Sequence, residues 1–240
     1  MKEKSVFFNP FRMMSPKLDA EALRLEELHK EPFSESISLE KGLLVMISKV
    51  MEMTRLLSKA LFSGSRSQMD TCESLARELG QQEKALTRNL VLSGLNPELL
   101  TGLIRFPFRI ERIGDMLESV LNCSRIKERE GIPFSDKAHL ELDQVFSVLV
   151  DMMENFRDAI ITPNKVVLDH VLAQSGKLGA LLDEARLAHW TRLEMGLCSP
   201  EANSLYLDIL DSIKATNEYL QKMSQTLLEL GTAGAAAAKG

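Results

Sequence analysis

LEKGLLVMISKVMEMTRLLSKALFSG, residues 39–64, carries its apolar side chains at Leu39, Leu43, Met46, Ile47, Val50, Met53, Leu57 and Leu61. Spacings of three and four put these residues on one stripe of an α-helix, and Gly64 follows as a stop signal. Ser38 precedes the stripe and is suited to cap it. The same kind of stripe returns downstream at Leu142, Val145, Phe146, Leu149, Met152, Met153, Phe156 and Ile160. Shifting the first stripe by 99 positions sets Ser48 on Ser147, Val50 on Leu149, Met53 on Met152, Ala60 on Ala159 and Leu61 on Ile160. A stretch that recurs about 100 residues later in a chain of 240 residues points to a duplicated unit.

The segments between and after these stripes are helical too. A second helix runs through Met69, Cys72, Leu75, Leu79, Leu86 and Leu90 and closes at Ser93, Gly94 and Asn96. A third begins near Pro97, passes Ile104, Ile113, Leu117, Val120 and Leu121, and fades before Gly131 and Pro133, with a kink or break expected at Pro107. Ser135 and Asp136 cap the fourth, and Thr162, Pro163 and Asn164 end it. A fifth carries Val167, Leu168, Val171, Leu178, Leu181, Leu182 and Ala185, and a sixth Leu205, Ile209, Leu210, Ile213, Leu220, Met223, Leu227 and Leu228. Thr87 and Arg88 match Thr191 and Arg192 at an offset of 104, and Arg112 matches Lys214 at 102. The expected architecture is all-α: six helices as two tandem three-helix bundles, 39–130 and 135–230. Residues 1–38 form an arm with a short helix from Asp19 to Lys30, and 231–240, poor in apolar bulk, a flexible tail.

Composition agrees. Aromatic residues make up 5% of the chain against 12 methionines, a mixture that packs helices more readily than sheets. The methionines at Met46, Met53, Met152, Met153 and Met223 fall at core spacing. A net charge of −5 spread along the chain gives no electrostatic reason to expect nucleic acid as a partner. Cys72, Cys123 and Cys198 are odd in number and far apart, which excludes a disulfide framework and a thiolate zinc site and fits a reducing cytoplasm. No apolar run nears the ~20 residues that span a bilayer, so any membrane contact is expected through a partner. His29, His139, His170 and His189 lack metal-pair spacing, and no phosphate loop, nucleophile elbow or pair of Glu-x-x-His motifs occurs.

The unusual local sequence is RFPFRIERIGDMLESVLN, residues 105–122. Glu111, Asp115, Glu118 and Asn122 follow one another at spacings of four, three and four, hence along one helix face. Carboxylates so placed repel unless something positive lies nearby. A hard or borderline cation is one solution, with Asp70, Glu73 or Glu78 of the second helix as further oxygen donors. Ordinary pairing with Arg112, Arg109 and Arg105 is another, and both stay open. Gly114 in mid-helix costs ~1 kcal/mol against alanine and calls for a close-packing reason.

Glu111-Arg112-Ile113-Gly114-Asp115 resembles the E-R-I-G-D signature of the PhoU family of phosphate-uptake regulators, whose members are built from two three-helix bundles. The resemblance covers roughly residues 39–230. It implies a cytoplasmic regulatory adaptor, not an enzyme, that modulates phosphate uptake or signalling through a transporter component or a sensor kinase, and a homodimer. It also implies a divalent or iron-type metal ion at the motif, with Glu111 and Asp115 as ligands; Glu118, on the same helix face, is a further candidate. In the second copy, at an offset of 102, Ile213, Lys214, Ala215, Thr216 and Asn217 stand in the motif's place, which weighs against a symmetric pair of metal clusters. Two other roles are carried forward. One is a PhoU-like domain associated with a sodium-dependent phosphate cotransporter, against which Met1 and the arm lean toward a free-standing protein. The other is a metal-dependent bundle enzyme using Glu111 and Asp115.

Overall fold

The computed structural model describes residues 39–95, 97–162 and 164–237. The expected arm, with Ser38 and His29, lies outside them, as do Asn96, Pro163 and the last three residues of the tail. The described residues form helices α1 (Leu39–Ser63), α2 (Arg66–Leu92), α3 (Pro97–Leu103), α4 (Arg105–Glu130), α5 (Asp136–Ile161), α6 (Lys165–Glu194) and α7 (Pro200–Ala237), with no strand among them.

The predicted stop and start signals act where the sequence places them. Gly131 closes α4 in the left-handed region at φ +64°, where a side chain would be strained, and its N–H and that of Ile132 both return to the Lys127 carbonyl. Ser135 caps α5 by accepting the Ala138 N–H at 3.2 Å. Asn164, read in the sequence only as part of the stop after the fourth helix, also caps α6, accepting the Val166 N–H at 2.9 Å.

Two expectations are corrected. The break in the third helix falls at Ile104, one turn before Pro107. Proline cannot donate to the carbonyl four residues back, which is that of Leu103, and its ring crowds that same group. Helix α3 therefore ends at Leu103, and Pro107 sits harmlessly in the first turn of α4. At the other end, α7 does not stop at residue 230 but continues to Ala237. The run of alanines there has the highest helix propensity of any residue type and needs no packing to extend a helix already formed.

Helices α1, α2 and α4 pack on one another, α6 packs on α5 and α7, and the two groups meet along α1–α5 and α4–α7. The core runs through both without interruption. Met46, Met51, Met53, Met152, Met153 and Met223 are all within it, as the spacing of those noted in the sequence implied. At the α1–α5 crossing, Thr54 donates to the Val50 carbonyl at 2.7 Å and lies 3.6 Å from Met153 Sδ, while Arg55 pairs with Glu154. Both contacts join residues 99 apart, which is the offset between the two sequence stripes. Residues that meet their own counterparts mark a local two-fold axis.

Burial also fixes the register of the other helices. At an offset of 99, Met69, Cys72, Leu79, Leu86 and Leu90 of α2 fall on Leu168, Val171, Leu178, Ala185 and His189 of α6, all buried. The Thr87-Arg88 match at 104 is thus a coincidence of identity, since Arg88 is exposed and Arg192 buried. For α4 and α7 the offset is 103, not 102. Phe106, Pro107, Ile110, Ile113, Leu117 and Val120 then meet Ile209, Leu210, Ile213, Thr216, Leu220 and Met223, again all buried, and Pro97 meets Pro200, each the first residue of a helix. Leu210 stands where Pro107 does, so nothing interrupts α7.

Candidate functional site

The acidic stretch occupies the first five turns of α4, beside α2. Within Glu111–Asp115 the inward residues are Ile113 and Gly114, both buried. A methyl group at Gly114 would come within 2.5 Å of Leu79 Cδ2, so the glycine is what lets α2 and α4 approach. Close packing is therefore the reason for a mid-helix glycine.

Glu111, Arg112, Asp115 and Glu118 are partly exposed along the flank. Arg112 donates to Asp115 Oδ2 at 2.5 Å and lies 3.6 Å from Glu111 Oε2. Its guanidinium also covers the exposed Phe108 ring at 5.0 Å. Partial burial holds the Glu111 carboxyl above the usual carboxylate range, and Asp115 adds repulsion. Glu118 is raised for the same two reasons, with Glu73 contributing. The flank thus holds more negative charge than Arg112 neutralises.

The further donors considered from sequence are engaged elsewhere. Arg125 donates to Glu73 at 2.5 Å and approaches Asp70 at 3.4 Å; Lys49 donates to Glu78 at 2.5 Å. The Arg125 hydrogen bond and charge hold Glu73 below the ordinary carboxylate range, as Lys49 does Glu78. Asn122 is exposed on the following turn. Among the described residues no group of three or more His, Cys, Asp or Glu is placed to hold a metal ion. In this arrangement Glu111, Asp115 and Glu118 do not form a cage for the metal that the resemblance implies.

The second copy differs in register from the sequence reading. At the offset of 103, Asn217 stands in the place of Gly114 and Glu218 in that of Asp115, so an acidic residue is kept there, while Lys214 replaces Glu111 and Gln221 replaces Glu118. Asn217 is buried and donates to the Ser175 carbonyl of α6 at 3.0 Å. Lys214 reaches Asp183 at 3.8 Å.

One polar cluster, in the second group of helices, is not revealed by the sequence. Arg192 of α6 makes a two-pronged contact with Glu141 of α5 at 2.7 Å for each nitrogen, and Tyr206 of α7 donates to the same carboxylate at 2.6 Å. His189 stacks on Tyr206 at 4.5 Å and lies 3.0 Å from Asn203 Oδ1. Burial lowers the imidazole's affinity for a proton. Burial, with Glu141 beside it, pushes the Tyr206 hydroxyl far up. The cluster ties three helices together at one end of the second group. Of the cysteines, Cys72 is raised by burial to about 12 and Cys123 to about 11, which removes both as nucleophiles at neutral pH. No helix among the described residues is long and apolar enough to cross a membrane.

No family model matches the chain, and no curated protein matches it in sequence. Solved structures do match in shape. The phosphate transport system regulatory protein PhoU from Streptococcus pneumoniae superposes with a TM-score of 0.72 over 88% of this chain and 97% of its own, at 14% identity. PhoU from Pseudomonas aeruginosa does so with a TM-score of 0.72 over 89% and 99%, at 17% identity. At such identities the likeness lies in the fold, and the fold of this chain is that of the PhoU proteins.

Proposed function

We propose that this chain is a regulatory adaptor of phosphate transport, acting in the cytoplasm by contact with a transporter component or a sensor kinase. The observation that carries the reading is the superposition along nearly nine-tenths of the chain on a protein described as a phosphate transport system regulator. Fold alone does not specify function, so the local chemistry matters too. The motif residues Glu111, Arg112 and Asp115 lie on an open flank, where they can be read by another protein. The two cysteines with raised pKa and the neutral His189 are buried, which suits scaffolding more than turnover.

The test is genetic and biochemical together. Deleting the gene is expected to change phosphate uptake or phosphate-responsive transcription, and crosslinking of the tagged full chain in cells is expected to recover a phosphate transporter component or a kinase. Unchanged uptake and transcription, with neither class recovered, would overturn the reading.

A further inference from the structure

The outer surface of α1 and α2 carries a shallow groove of Leu44, Val45 and Leu75, rimmed by Ser48, Lys49 and Glu52. Val45 is 45% exposed, and Leu44, Leu75 and the adjoining Leu56 are half-buried. The second copy shows that the bundle does not need this apolar strip. At the offset of 99, which sets α1 on α5 and α2 on α6, Leu44, Val45, Leu56 and Leu75 fall on Asp143, Gln144, Asn155 and Gln174. All four are polar, and Asn155 donates to Gln174 at 3.1 Å where the first copy has two leucines. Lys49 goes the other way, to the half-buried Val148. The inward residues keep their apolar character: Leu43, Met46 and Ile47 fall on Leu142, Val145 and Phe146, all buried. The copies therefore differ in what their outer faces are made to meet.

They differ as well in what precedes them. Residues 131–135 alone join α4 to α5, whereas residues 1–38 precede α1. The copy with the apolar groove is the copy with the arm. Within that arm, FFNPFRMM, residues 7–14, gathers Phe7, Phe8, Phe11, Met13 and Met14, a density of large apolar side chains that calls for a surface to cover them. Lys2, Lys4 and Arg12 accompany them. On the rim of the groove Glu78 is held by Lys49, but the exposed Glu52 has no cationic partner among the described residues. Arm and groove are thus complementary in charge as well as in apolar surface. The arm enters α1 at Leu39, and Val45 follows six residues later, roughly 9 Å along the helix axis. A segment tethered so near meets the groove at an effective concentration on the order of a millimolar, so modest contacts suffice to hold it.

We propose that the α1–α2 groove is the docking site of this chain's own N-terminal arm, with phenylalanines of residues 7–14 seated on Leu44, Val45, Leu56 and Leu75 and Arg12 beside Glu52. The arm then covers the outer face of the first helix group, while the second group, polar at the same positions, stays open to solvent. The proposal does not rest on the phosphate-regulator reading.

Photocrosslinking of the full chain tests it. The photoreactive residue p-benzoylphenylalanine takes the place of Phe8, and the captured position is mapped by peptide mass spectrometry in a mixture of unlabelled and nitrogen-15-labelled protein. Capture is expected at residues 44–56 or 75–78, within single molecules. In the same full chain, Leu44→Asp, Val45→Gln, Leu56→Asn and Leu75→Gln give the groove the residues that the second copy carries. With helical circular dichroism unchanged, they are expected to lower that capture by about tenfold or more, because the apolar surface for the phenylalanines is gone. Capture outside the groove, or without a preferred position, overturns the proposal. So does capture found only between labelled and unlabelled molecules, which would make the occupant the arm of a second copy, and so does a folded groove variant that captures as before. Should the groove variant not fold, the position captured in the chain with its native groove still decides.

Discussion

Substituting Gly114 by alanine sets two effects of known sign against each other. Alanine is favoured over glycine in a helix interior by ~1 kcal/mol. The added methyl would lie 2.5 Å from Leu79 Cδ2, where carbon atoms rest at about 3.5–4.0 Å, so the leucine tip must retreat by about 1 Å. Leu79 is only 1% exposed and packed on all sides, so that retreat means an off-rotamer side chain or a parting of α2 from α4. Overpacking of this kind costs about 1–3 kcal/mol, and the net expectation is a loss of roughly 0–2 kcal/mol. Gly179 on α6 is the control: nothing lies within 4 Å of a methyl there, and Gly179→Ala is expected to stabilise by the propensity alone. Urea unfolding followed by helical circular dichroism resolves the difference, since ~1 kcal/mol moves the midpoint by about 0.3–1 M. The decisive measurement is Gly114→Ala in a Leu79→Ala background, where the space is open and the substitution is expected to turn stabilising. If Gly114→Ala stabilises equally with and without Leu79, the close-approach account of the motif glycine is wrong.

Glu141→Ala leaves the Arg192 guanidinium, with 9% of its side chain exposed, without its carboxylate and Tyr206 without its acceptor. The expected loss is about 3–5 kcal/mol, read as a fall in melting temperature on the order of 10 °C; a change under ~1 kcal/mol would show the network to be dispensable. Glu111→Gln with Glu118→Gln removes two carboxylates that folding holds above their usual range. The folded state takes up protons there more readily than the unfolded one, so their contribution rises as pH falls through the folded values and is lost as pH rises. The double variant is therefore expected to gain a few tenths of a kcal/mol at pH ~7 and to lose that gain near pH ~4, where the wild-type carboxyls are protonated. A gain that persists in acid would contradict the repulsion and burial assigned to this flank.

The helices were legible because core burial leaves a period of three and four, and that period survived in every long helix. Register was less legible. The sequence match of Arg112 to Lys214 relied on charge, and charge on an exposed flank is unconstrained by packing, so it drifted by one position. Apolar side chains cannot drift without leaving the core, which is why Phe106 to Val120 and Ile209 to Met223 give the true offset of 103. The Glu141–Arg192 pair was hidden for a related reason. Its members are 51 residues apart on different helices, and no local pattern ties them together. The one available hint was an arginine continuing the buried stripe of α6 after His189.

The motif that suggested the fold is itself two things in one stretch. Ile113 and Gly114 face inward and set the distance between α2 and α4, while Glu111, Arg112 and Asp115 line the flank and take no part in that contact. The second copy separates the two roles. At the place of Gly114 it carries Asn217, which cannot permit the same approach and instead binds the Ser175 carbonyl of α6, leaving its own side-chain oxygen without a partner among the described residues. An apolar close contact has become a polar tether, and the flank has kept a carboxylate at Glu218 while exchanging Glu111 for Lys214. Packing can thus be re-solved without keeping the surface, so the intact flank of the first copy is not explained by the needs of the bundle. It is there that a partner's recognition of this chain is best sought.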